Sequence, residues 1–274
     1  MKRNKVKWSV ILLVVSVILF SVIAQGFSQS LSDILKKAES NYKNFNQDFK
    51  DMAMVFDAKI YTPEGEMITE MKLFTKGEKS RSETLMKFPE SAGMPEGMGS
   101  MLVIVISDGQ DTWTISPFVG KKKLTTEQAE EQMQYQTGMN WWRSISDKAN
   151  YIGIERINNR ECYVLEIEAG GDSLYSRIWV DKNNLFLVQT EGKNDSGETM
   201  RMIFSDFRKI KGNWELPYKT EGFLDEVQMM TILLKSFEIN QGLSDDLFDV
   251  EKVEVSGPNM QEMMQNMMQQ GKNN

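Results

Sequence analysis

Asp51-Met52-Ala53-Met54-Val55-Phe56-Asp57-Ala58-Lys59-Ile60 is the stretch on which the fold turns. Met52, Met54, Phe56, Ala58 and Ile60 share one parity, and Asp51, Ala53, Val55, Asp57 and Lys59 the other. A period of two puts the first set on one face of a strand, half-buried and longer than most. Thr62-Pro63-Glu64-Gly65 supplies a turn, and Met67, Thr69, Met71 and Leu73 repeat the alternation on a second strand ending at Lys76-Gly77. A third strand is expected from Lys79 to Phe88. Pro89 to Ser100, with three glycines and two prolines, reads as a long loop. Met101 to Ile106 is a continuous apolar strand, turned by Asp108-Gly109 into Thr112 to Phe118.

On the N-terminal side the period changes to 3.6. Leu31, Ile34, Leu35 and Ala38 predict a helix from Leu31 to Asn44, with Ser32 or Asp33 near its start. A second helix is expected from Thr125 to Ile145, capped by Thr125 or Thr126 and interrupted at Gly138, just before Trp141-Trp142. Beyond it, turns at Asn158-Asn159, Gly170-Gly171-Asp172, Asp181 to Asn184, Asn194 to Gly197 and Lys211-Gly212-Asn213 mark an antiparallel meander, with a last strand from Val227 to Ile239. The pattern amounts to about eleven strands and two main helices without a βαβ rhythm. An open or partly closed barrel with helices packed into it is the expected architecture.

Lys2, Arg3, Lys5 and Lys7 precede an apolar run from Trp8 to Ala24, and Val22-Ile23-Ala24 offers small residues for cleavage. Residues 1–24 are therefore read as a signal peptide, with cleavage after Ala24 or Gly26; an uncleaved membrane anchor is the alternative. This segment holds four of the 32 basic residues and no acidic one, which leaves 28 against 39 and a net charge of −11. So acidic a body argues against nucleic acid as a partner. Residues 25–257 form the expected domain and 258–274 a tail. In the tail, Met260, Met263, Met264, Met267 and Met268 share one helical face. An amphipathic docking tail is preferred there over a Cu(I) site built from thioethers.

No histidine is present, which removes Ser-His-Asp and Cys-His nucleophile systems and His-ligated zinc. The lone Cys162 lies in an apolar stretch and reads as a small buried hydrophobe. There is no Walker loop, nucleophile elbow or dinucleotide fingerprint. Neither an enzyme nor a cofactor or metal is expected. The 20 methionines favour a pocket that reshapes around an apolar ligand. The candidate lining residues are Met54, Phe56, Met71, Leu73, Leu102, Ile104, Trp113 and Ile115, with the loop around Pro95 and the helix from Thr125 to Ile145 as the lid.

Met101 to Ile106, Ser107-Asp108-Gly109, Trp113 and Ser116-Pro117-Phe118-Val119 follow one another in an order that resembles the LolA-type periplasmic lipoprotein carriers. Phe204 to Lys219, Asn240-Gln241-Gly242-Leu243-Ser244 and Leu247-Phe248 look like their outer-membrane lipoprotein-sorting relatives. The likeness spans residues 31–250, and the strand–SDG–Trp–PF portion is its specific part. It implies a half β-barrel lidded by helices that carries lipid or lipoprotein acyl chains through the periplasm to the outer membrane. The implied partners are an inner-membrane release complex and an outer-membrane acceptor. The carriers have an arginine after the turn lysine that helps hold the lid; here Gly77 follows Lys76, and Arg81 is the candidate replacement. An envelope lipid or lipoprotein sensor, or a scaffold protein, with the same fold is the alternative function.

Overall fold

The computed structural model describes residues 30–92, 99–129, 141–145, 148–168, 175–194, 196–212 and 214–254. The chain opens with α1 (Leu31–Asp48), followed by β1 (Asp51–Thr62), β2 (Gly65–Lys76) and β3 (Lys79–Lys87). β4 (Ser100–Ser107), β5 (Thr112–Ser116) and β6 (Gly120–Lys123) come next, then the short α2 (Trp141–Ile145). A second run comprises β7 (Ala149–Ile157), β8 (Arg160–Ile167), β9 (Arg177–Asp181) and β10 (Leu187–Lys193). It continues through β11 (Thr199–Lys211), β12 (Trp214–Leu224) and β13 (Val227–Ile239).

All thirteen strands belong to one antiparallel sheet in the order β6-β5-β4-β3-β2-β1-β13-β12-β11-β10-β9-β8-β7. β1 lies near the middle. The first run walks from it to one edge, the chain crosses to the far edge, and the second run returns to pair β13 with β1. β6 and β7 are the two edges, so the sheet is open. The strand count exceeds the expected eleven, in part because β6 (Gly-Lys-Lys-Lys) carries no alternation that could mark it.

The first helix is four residues longer than its apolar pattern indicated, and its cap is Ser30 rather than Ser32 or Asp33. The Ser30 side chain accepts from Asp33 N, and the Asp33 carboxylate accepts from Ser30 in return, forming a capping box. Those hydrogen bonds hold the Asp33 carboxyl below the usual carboxylate range. At the second helical segment the cap is Thr125, one of the two threonines the sequence offered: its hydroxyl accepts from Gln128 N, and the Gln128 side chain accepts from Thr125 N in return. The signal segment, the loop around Pro95, Gly138 and the Met-rich tail lie outside the described residues.

α1 covers one face of the sheet. Ile34 and Ala38 join Trp141 and Ile145 of α2 over Tyr163, Leu165, Ile178 and Val180. Phe45 and Phe49, at the other end, sit on Met52, Met54, Leu73, Leu216 and Leu234. Trp141 Nε1 donates to Leu185 O, so the far end of the edge-to-edge crossover is pinned on this same face. On the opposite face Leu243, Leu247, Phe248, Val250 and Val253 pack over Ile104, Ile106 and Ile115. This C-terminal strap is tied by cations of the β2–β3 hairpin. Lys76 Nζ donates to Leu243 O (2.7 Å), and Lys79 Nζ lies 3.0 Å from Asp245. Hydrogen bonds from Lys79 and Lys76 hold the Asp245 carboxyl below its ordinary value.

Cys162 is buried with Val164, Trp179 and Val188. Burial, with the Asp181 carboxylate adding to it, pushes the thiol up to about 11. At about pH 8 the native protein should therefore leave a thiol reagent unreacted, while the urea-unfolded chain reacts with one equivalent. Rapid stoichiometric reaction of the folded protein would contradict the burial.

Candidate functional site

Cross-strand register shows what the helix-bearing face is made of. One row runs Val105–Ser82–Leu73–Met54–Phe237 and lies toward the end of α1, where Phe45 and Phe49 cover Met54 and Leu73. The next row, Val103–Thr84–Met71–Phe56–Leu234, begins to leave that cover: Met71 and Phe56 are half-buried. A third row is Met101–Met86–Thr69–Ala58–Ile232, and a fourth is Met67–Ile60–Met230–Gly222–Met202. None of these four rows contains a charged residue. Met67, Met71, Met86, Met101, Met202 and Met230 are all half-buried, and none belongs to a buried cluster of described residues.

Methionine at these positions has a physical consequence. Strand propensity favours β-branched and aromatic side chains, whereas an unbranched thioether offers flexibility and polarisability instead. Gly222 sits beneath two of them. A Cβ there would stand 2.7 Å from Met230 Cγ and 3.0 Å from Met202 Sδ, so the missing side chain is what lets both lie against the sheet. The result is a contiguous, adaptable apolar surface that borders the part of the sheet under α1, since Met202 pairs with Thr190 and Thr190 with Ile178, which packs with Ile34 and Ala38.

The eight candidate lining residues divide between the two faces. Met54, Phe56, Met71 and Leu73 stand together on the helix-bearing face, with Met54 and Leu73 already packed beneath α1. Leu102, Ile104, Trp113 and Ile115 stand on the opposite one, because Ile104 pairs with Ile115 and Ile106 with Trp113 while Ile106 pairs with Arg81. The strap closes over that side: Ile104 and Ile115 are buried under it, with Leu102 packed against them. These four are therefore not part of one surface with Met71. Arg81 is also on the strap side. It is ion-paired with Glu83 (2.6 Å) and donates to Leu247 O (3.0 Å), so it anchors the strap rather than any lid on the other face.

Met202, Met230 and Thr69 were not among the candidates. Met200-Arg201-Met202-Ile203-Phe204 and Met230-Thr231-Ile232-Leu233-Leu234 do alternate, and that signal could have found them. The Ser107-Asp108-Gly109 turn is structural: the Asp108 carboxylate accepts from the Gln110 and Asp111 N–H groups. These bonds hold it below its ordinary value. Among the described residues no three His, Cys, Asp or Glu side chains converge as metal ligands.

A protein-family model described as an uncharacterized protein matches residues 101–254. No curated protein matches the chain in sequence. Several solved structures share its fold. A DUF1329 family protein from Desulfovibrio piger is 18 % identical at a TM-score of 0.55, covering 80 % of this chain and 99 % of its own. A putative outer membrane lipoprotein-sorting protein domain from Vibrio parahaemolyticus is 13 % identical at 0.53, covering 78 % and 95 %. A LolA superfamily protein from Nitrosomonas europaea is 18 % identical at 0.50, covering 82 % and all of its own chain. The open antiparallel sheet is thus the LolA-like half-barrel.

Proposed function

The chain belongs to the family whose model spans residues 101–254, and on that premise we propose that it is a non-catalytic carrier of lipid or lipoprotein acyl chains. The observation that carries this reading is the uncharged, half-buried methionine surface on the helix-bearing face. The half-barrel fold shared with lipoprotein-sorting and LolA superfamily proteins supports it. Each methylene that leaves water on such a surface contributes on the order of 0.8 kcal/mol, enough for a long chain to bind without any charged contact. Phe56 and Met71 contact the chain, and Met54 and Leu73 back them from under α1. Export by the N-terminal segment places the carrier in the periplasm, between a release complex on the inner membrane and an acceptor on the outer one.

Native mass spectrometry of the exported protein, taken from a bacterial envelope without detergent, tests the reading. Co-purifying acylated species are the expected result. A clean ligand-free mass, with no uptake when the protein is offered phospholipid or a triacylated lipopeptide, would sink it.

A further inference from the structure

The floor of the methionine surface holds a polar atom without a partner among the described residues. Thr69 stands between Ala58 of β1 and Met86 of β3, and both Thr69 and Ala58 are only 4 % exposed. Their neighbours along the strands, Phe56 and Met71 on one side and Ile60 and Met67 on the other, are larger and half-buried. The short pair is thus the bottom of a trough that these long apolar side chains, with Met86 and Ile232 at its ends, close over, and a ligand reaches it when the flexible methionines swing aside. The Thr69 hydroxyl makes no hydrogen bond among the described residues. A buried hydroxyl left unpaired is destabilising, and valine would fill the same volume with a better strand preference. Buried polar atoms in folded proteins are normally paired, so an orphan at the bottom of a binding trough marks a place where the partner comes from the ligand.

We propose that Thr69 donates its hydroxyl proton to the carbonyl oxygen of an ester-linked acyl chain lying in this trough. The inference rests on the acyl-carrier reading of the same face and names what that face recognises. The rows containing Thr69, Met71 and Met67 hold no lysine or arginine, so a carboxylate placed there would lose its hydration with nothing to replace it. A neutral ester carbonyl needs one donor, and Thr69 supplies one. The hydrocarbon on either side of the carbonyl meets the methionines, whose side chains adapt to its path.

The test uses two glycerol lipids with the same hydrocarbon tail, one joined by an ester and the other by an ether, titrated into the full chain. The parent protein should bind the ester about five-fold more tightly, the difference one neutral hydrogen bond makes. Thr69→Val should lower ester affinity to the level of the ether and leave the ether unchanged, while Thr69→Ser should keep the preference. Equal binding of the two lipids by the parent protein would overturn the inference, and so would a preference that survives in Thr69→Val. Either result leaves the acyl-carrier reading standing. Failure of both lipids to bind would overturn that reading and this inference with it.

Discussion

Met71→Asp should bind an acyl lipid about 100-fold more weakly than the parent chain, with little change in its melting curve. Met71 is half-buried and belongs to no buried cluster of the described residues, so a carboxylate there keeps its hydration while the surface is empty. Once a hydrocarbon chain covers it, that hydration is lost, and its row (Val103, Thr84, Phe56, Leu234) offers no cation in exchange. Leu233→Asp is the control. Leu233 neighbours Ile232 and Leu234 on β13 but pairs with Asp57 and Lys219 on the other face, where it is 40 % exposed. The substitution adds the same charge and should leave affinity unchanged in a fluorescent monoacyl-lipid titration. Equal loss in both variants would show that net charge, rather than the helix-bearing face, governs binding.

Phe248→Ala should lower the free energy of unfolding by about 3–5 kcal/mol, read from urea denaturation. Phe248 is 1 % exposed and is seated among Ile104, Ile106, Ile115 and Val253. Its removal opens a cavity between strap and sheet, and the part-buried hydrogen bonds from Lys76 and Arg81, already present in the parent chain, do nothing to offset that loss. Because the strap lies on the face opposite Met71, lipid affinity below the melting transition should be preserved. A variant of unchanged stability, or one that is stable but no longer binds, would contradict the assignment of the strap to structure and of the other face to the ligand.

Much of this architecture is legible in the sequence, and the places where it is not have physical causes. β1 and β2 alternate apolar with polar residues, so their inward parity could be read directly, and Met54, Phe56, Met71 and Leu73 do share a face. β4 is different. Met101 to Ile106 is apolar at every position because both of its faces are covered to some degree, so period two says nothing about which parity faces α1. The pairing of Ser82 with Val105 and of Arg81 with Ile106 decides it, and that register depends on the β3–β4 connection. The eight candidates were split for this reason. Covering the outer parity of β4 takes a segment more than a hundred residues away, Leu243 to Val253, whose short turns carry little periodicity. Arg81 was misplaced by the same cause: its partner is a backbone carbonyl of that strap. Thr69 could be seen as a polar interruption of Met67, Met71 and Leu73, but only burial shows that its hydroxyl has no partner.

The most direct measurement is photolabelling of the full chain with a monoacyl lipid carrying a diazirine near the middle of its tail, followed by peptide mapping. The expected result is label on the helix-bearing parity of β1, β2 and β13, at Phe56, Met71 and Met230, competed away by unlabelled lipid. Label concentrated on Ile104, Ile115 or the strap, or spread evenly over both faces of the sheet, would contradict the claim that the methionine surface holds the acyl chain.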